Sequence, residues 1–263
     1  MTPLYFGSAQ RRLFGAYAPP RAARTSAGAA VLCYPWGQEY IRAHRAMRLL
    51  ANMLCAAGRH VLRFDYFGTG DSAGESTEVS LGGWEQDIET AIEELRDTSG
   101  ATRVVLVGLR LGATLATRVA ARKGKAIEAL VLWDPVIDGP EYLEEMLGTT
   151  YAGSGVGERG GPRVPDAAAG HEVLGFPLTA AFADEIRTVD LLKLVPSMPG
   201  RTRLIASAPL VSHGALRAEL EQHARTDIAI EQIDSVFAWR QYEGLGAGAV
   251  PTKVLDAIVE WVC

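Results

Sequence analysis

The sequence predicts an α/β fold, a mostly parallel, doubly wound sheet entered through an N-terminal antiparallel hairpin. Three observations predict it. Continuous apolar runs of strand length alternate with amphipathic stretches of helix length, the mark of repeated βαβ units. The run "VLVGLRLGATLA" (104–115) passes from β-branched strand residues through a glycine-flanked turn into an alanine-rich helix. The chain has 263 residues, 48% hydrophobic and 22% charged, enough for one domain of this kind with a well-buried core.

The elements follow in order. "LYFGSAQRRLFGAYAPP" holds two aromatic-rich stretches parted by a polar turn at Ser8–Gln10 and closed by Pro19 and Pro20, which reads as a β-hairpin. "GAAVLCYP" (28–35) is apolar throughout, as a strand buried on both faces must be. Residues 39–57, rich in alanine and leucine with Arg42, Arg45 and Arg48, form a helix stopped by Gly58. A strand at 60–66 precedes a helix at 82–97, where Trp84, Ile88, Ile92 and Leu95 keep a helical period. Then come a strand at 103–109, a helix at 112–122 and a strand at 127–135. From 138 to 182 the periodicity lapses into a Gly-, Pro- and Ala-rich stretch, expected to be an irregular lid or mobile insertion. A helix at 181–195, strand at 201–209, helix at 213–225, strand at 227–234 and helix at 250–262 complete the chain. The expected division is a core of 1–137 and 183–263 with a cap at 138–182.

Composition narrows the function. A net charge of −5 speaks against a nucleic-acid face, which needs basic residues. No apolar run reaches the length that spans a bilayer, and "MTPLYFGSAQRR" lacks the basic start and apolar run of a signal peptide. Cys33, Cys55 and Cys263 are odd in number and lack C-x-x-C spacing, so a reduced, cytoplasmic protein is expected. There is no H-E-x-x-H, clustered Cys/His or EF-hand loop. The glycine-rich "GTGDSAG" lacks the phosphate-loop lysine, and no dinucleotide fingerprint opens a helix, so neither metal nor cofactor is expected.

Three stretches carry a resemblance: "CYPWGQEY" after the third strand, "FDYFGTGDSAGES" after the fourth, and "GLRLGATLA" at the glycine-flanked turn. Along nearly its whole length the chain resembles the α/β-hydrolase superfamily, including its serine aminopeptidase-like members. "GLRLGA", "LVLWDPVIDGPEYLEEML" and "HEVLGFPLT" are most similar to the second type of exosortase-system-associated hydrolase. The resemblance implies a nucleophile elbow at 108–112, half of an oxyanion hole in "CYPWGQEY", and a chain order of nucleophile, acid, then histidine after the last strand.

The residues depart from that pattern. The elbow position holds Arg110, a cation with donors only, which cannot act as a nucleophile. All five histidines (His44, His60, His171, His213, His223) precede the last strand, so "SVFAWRQYEGLGAGAVP" supplies no base. The usual acid position, "LVSHG", has no carboxylate, but Asp134 in "LWDPV" fits an alternative one.

Two roles are open to Arg110. It clamps an anion at the start of a helix, or it forms an internal ion pair with Glu39 and Asp134, the commoner fate of a buried charge. Glu39, Asp134 and His213 are candidates for proton transfer. Tyr34, Trp36, Gly37, Leu111 and Tyr66 are candidates for lining a ligand pocket. Cys33 reads as a core residue and His44 as surface. Asp65 and Asp71 read as braces of the glycine loop, while Ser72 and Ser76 have no evident base.

Ordinary serine esterase or peptidase activity is therefore not expected. The first expectation is a divergent protein with a pocket around Arg110 that binds a small, anionic molecule or runs chemistry without serine. The alternative is an inactive pseudohydrolase that binds or scaffolds a protein partner. A serine recruited from elsewhere in the chain is a third.

Overall fold

A computed structural model of the protein describes residues 1–21, 28–153, 171–207, 211–225, 227–237, 239 and 250–263, with only the backbone of 149–153, 171 and 211–213. The hairpin comes first: β1 (Thr2–Gly7) pairs antiparallel with β2 (Arg12–Ala18), from Thr2 opposite Tyr17 to Gly7 opposite Arg12. β3 (Ala29–Cys33) is buried at every position, as its unbroken apolar run requires. α1 (Gly37–Ala56) then leads to β4 (His60–Phe64), and α2 (Leu81–Ser99) to β5 (Val104–Leu109). Ser80 caps α2 by accepting from the Gly83 amide at 3.0 Å, and Gly100 ends it in the left-handed region. α3 (Leu111–Lys123) connects β5 to β6 (Ile127–Trp133).

Among the described residues, eight strands form one sheet. Beyond β6 it gains β9 (Thr202–Ala206) and β10 (Ala229–Gln232), and its order is β1-β2-β4-β3-β5-β6-β9-β10. β2 meets β4 antiparallel, and from β4 onward every pairing is parallel. The mostly parallel, doubly wound sheet anticipated above is present, with the carboxyl ends of β3, β5 and β6 side by side. α6 (Val211–Gln222) bridges β9 to β10, and α7 (Thr252–Val262) closes the chain. No described helix is long and apolar enough to cross a membrane.

Two expectations need correction. The stretch from 138 to 182 is not all irregular. It contains α4 (Gly139–Gly153) and a small hairpin of β7 (His171–Val173) and β8 (Phe176–Leu178), while residues 154–170 lie outside the described residues. Tyr142, Leu143, Met146 and Leu147 are buried along one face of α4, a helical period that the neighbouring glycines obscured. The helix expected over 181–195 stops early, as α5 (Ala180–Arg187), and a short 3-10 turn follows at Leu192–Ser197. The chain between them pairs with the start of the insertion: the Gly139 amide donates to Val189 O at 2.9 Å and the Leu191 amide to Ile137 O at 2.8 Å. A continuous helix would have used those groups internally.

The turn between β5 and α3 sits where no Cβ fits on either side. A methyl on Gly112 would overlap the carbonyl oxygens of Tyr34 and Cys33, and one on Gly108 would overlap the Ala113 backbone. Helix α3 therefore lies directly on the ends of β3 and β5. Gly112→Ala is expected to cost about 3 kcal/mol or to prevent folding, because the obstacle is backbone. Gly82→Ala, on an exposed helical position with nothing within 4 Å, should instead stabilise by about 0.5 kcal/mol. Urea denaturation of the two variants checks the contrast, and equal midpoints would refute it.

Candidate functional site

The β5–α3 turn places Arg110 at φ 53°, ψ −125°, a backbone conformation that side-chain-bearing residues rarely adopt. Its neighbours hold it there. The Arg110 amide donates to Trp133 O at 3.0 Å, and its carbonyl accepts from the Ala113 amide at 2.9 Å. The residue is only 3% exposed. Such a cation must be neutralised, and the fold does so from two helices. Nε donates to Glu39 Oε1 in the first turn of α1 at 2.8 Å, and Nη2 donates to Glu145 Oε2 on α4 at 2.5 Å. The Tyr142 hydroxyl donates to the second Glu39 oxygen at 2.9 Å.

Aromatic rings lie against the same guanidinium. Its carbon is 3.9 Å from the centre of the Trp239 ring and 5.2 Å from that of Tyr142, geometry that adds cation–π attraction. Burial works against the charge on Arg110, but the fields of Glu39 and Glu145 more than offset it, and its pKa moves up. Burial pushes the Glu39 carboxyl up, while Arg110 and Tyr142 pull it back.

Asp134 has other partners than the ones expected. It too has positive φ, at 43°, and its carboxylate is fully buried. Oδ1 accepts from the Ser207 amide at 2.7 Å, and Oδ2 accepts from the Ser207 hydroxyl at 2.6 Å and from the Trp239 indole N–H at 3.0 Å. The expected Arg110–Asp134 ion pair is thus replaced by Arg110–Glu145. Trp239 stands between the two groups, its edge on Asp134 and its face on Arg110.

The other candidates are distributed unevenly. Trp36 and Gly37 line a cavity of about 280 Å³ between the β3–α1 turn, the glycine loop 68–70 and the β7–β8 hairpin. Tyr34, Leu111 and Tyr66 are buried and do not line it. The Tyr34 hydroxyl accepts from Arg63 Nη1 at 2.7 Å, and burial, working against the pull of Arg63, pushes its pKa up to about 12. Tyr66 stacks on Trp84. Cys33 is fully buried, and burial raises its thiol far above the range of a reactive cysteine.

Asp65 braces the glycine loop as expected, accepting from the Asp71 amide at 3.1 Å and the Tyr40 hydroxyl at 2.8 Å. Ser72 is committed to the Asp65 carbonyl and the Phe14 amide. His44 is exposed. The side chain of His213 lies outside the described residues. Among the described residues no group of three or more His, Cys, Asp and Glu could hold a metal.

Sequence reasoning missed Tyr142, Glu145, Ser207 and Trp239. Tyr142 and Glu145 carried a usable signal, since residues three apart share a helix face. Ser207 and Trp239 carried none, because tertiary packing alone brings them to Asp134.

Removing the cation should leave Glu39 and Glu145 without their shared partner. Arg110→Met is expected to cost about 3–5 kcal/mol in urea denaturation. Replacing both groups, as Arg110→Met/Glu39→Met, should recover part of that loss because the more deeply buried of the two carboxylates is then removed with its partner. A loss below about 1 kcal/mol in the single variant would show that the pair does not hold the site.

With this geometry described, comparison with known proteins gives the lineage. Residues 40–224 match the family described as serine aminopeptidase, S33. Protein ABHD12B of Homo sapiens is 37% identical over 111 residues, which is 41% of this chain and 30% of that protein. Human mitochondrial palmitoyl-protein thioesterase ABHD10 is 36% identical over 74 residues, 28% of this chain and 23% of that protein. The matches thus span less than a third of the length of these relatives. Among solved structures, Est1E from Butyrivibrio proteoclasticus with ferulic acid bound superposes with a TM-score of 0.69 at 15% identity, covering 98% of this chain and 97% of that one. Mouse alpha/beta hydrolase domain-containing protein 10 gives 0.60 at 16% identity, covering 100% and 97%. The fold is that of an α/β hydrolase, and the chain belongs to the serine aminopeptidase S33 family.

Proposed function

We propose that this chain is a pseudohydrolase, a family member in which the elbow has become a structural strut and the fold serves binding instead of hydrolysis. The observation that carries the reading is Arg110 itself. It occupies the strained elbow position, and two carboxylates and two aromatic rings take up its guanidinium. Acyl transfer by this fold needs a nucleophile, a ring nitrogen that accepts its proton, and an acid that orients the ring. Here an arginine stands in the first place. The Trp239 N–H makes the bond to Asp134 that a histidine would make, but an indole has no second nitrogen to act as base.

The cleavage named for palmitoyl-protein thioesterase ABHD10 is therefore not carried over to this chain. Small-acid binding by Arg110 is the weaker reading, because its Nε and Nη2 already serve Glu39 and Glu145. On the same reading α4 belongs to a lid that Tyr142 and Glu145 latch shut over the elbow.

A fluorophosphonate probe should leave the protein unlabelled by intact mass, and p-nitrophenyl acetate should turn over at the background rate. Stoichiometric labelling would overturn the reading. Arg110→Ser alone should stay silent, since among the described residues no histidine faces the new hydroxyl. If it turns over, another base is acting, His213 first among them. Arg110→Ser/Trp239→His supplies a ring nitrogen beside Asp134 and should exceed the single variant at least ~10-fold.

A further inference from the structure

Away from Arg110, the cavity of about 280 Å³ beside the first turn of α1 has a chemistry of its own. Protein interiors are close-packed, and a void meant only for water needs about a tenth of that volume or less. Its walls come from three parts of the chain. Trp36 and Tyr40 stand on one side, the bare backbone of the glycine loop 68–70 on another, and Phe176 of the β7–β8 hairpin on the third. Among the described residues, no Asp, Glu, Lys, Arg or His lines it.

The polar groups in the wall are mostly engaged. The Tyr40 hydroxyl donates to Asp65 at 2.8 Å, and the Thr69 hydroxyl donates to the Tyr66 carbonyl at 2.8 Å. At the rim, Ser76 is exposed and Ile41 presents an apolar side chain that is 52% exposed. An exposed isoleucine beside a slot of rings and glycine backbone extends the apolar surface outward instead of closing it.

We infer that this cavity is a binding site for a small, uncharged, planar aromatic molecule held between Trp36, Tyr40 and Phe176. The described lining carries no charge, which selects against an ion that would lose its hydration without compensation. The aromatic side chains in the lining favour an aromatic ligand, whose ring can pack against theirs and approach the bare glycine backbone closely. The volume admits roughly a dozen non-hydrogen atoms, at the small end of ordinary ligand pockets. The inference deepens the proposed binding role but does not use the elbow.

The test titrates 2-naphthol into the full chain by calorimetry, beside 2-naphthoate and 1-decanol. Binding of 2-naphthol is expected, with at least a tenfold preference over both comparison ligands. Ile41→Asp and Ser76→Trp change exposed rim positions and should leave folding intact, as circular dichroism would verify. Each should weaken 2-naphthol at least tenfold, the first by charging the rim and the second by filling it. Equal or tighter binding of 2-naphthoate would overturn the neutral class, and preference for 1-decanol would overturn the planar one. No 2-naphthol binding, or binding indifferent to both substitutions, would overturn the site. Turnover of 2-naphthyl acetate is measured separately. Hydrolysis by the wild-type chain would defeat the pseudohydrolase reading while leaving 2-naphthol binding to decide the cavity.

Discussion

A guanidinium buried at the end of the central strand must be neutralised where it stands, because the backbone that carries it cannot move. Gly108 and Gly112 press α3 onto β3 and β5, so Arg110 has one place to go. From that follow the acidic residue in the first turn of α1, the docking of α4 through Glu145, and the aromatic cover of Tyr142 and Trp239. Three separate chain segments meet on one cation. The segment after β6 is thereby tied to the sheet through charge as well as through its apolar face.

Strain persists beside this ion pair. Arg110 and Asp134 both hold positive φ, at the ends of neighbouring strands, each fixed by backbone hydrogen bonds to an adjacent strand. In a working hydrolase such an elbow lifts the nucleophile into the open. The same elbow here directs a charged side chain into a closed cluster. On the reading proposed above, the backbone geometry of the family is separable from its reaction, and the side chain on the elbow decides which use the strain serves.

Asp134, Ser207 and Trp239 form a second buried polar group in which Ser207 and Trp239 both donate to the one carboxylate. On the proposed reading it is the acid half of a triad with its ring replaced. The indole shields Asp134 from Arg110, so two opposite charges that could have paired are each satisfied locally. That separation explains why neutralising Arg110 falls to α4 and not to β6.

By itself the sequence determined the sheet, its hairpin entry, the order of strands and helices, the elbow with its arginine, and Glu39 as one of two candidate partners for it. Those features are local or follow from chain order: unbroken apolar runs make buried strands, glycines mark turns that admit no Cβ, and the carboxyl ends of adjacent parallel strands converge. Helix α4 was also legible in the spacing of Tyr142, Leu143, Met146 and Leu147, yet composition alone pointed to a loop. Tertiary structure decided the rest. Glu145 reaches Arg110 across 35 residues and Trp239 reaches Asp134 across 105. The end of α5 was set by backbone partners at Ile137 and Gly139, and the aromatic slot by three segments that no local pattern links. Side-chain partners at that separation are chosen by packing and by the cost of leaving a buried charge or amide unmet, which the order of residues does not express.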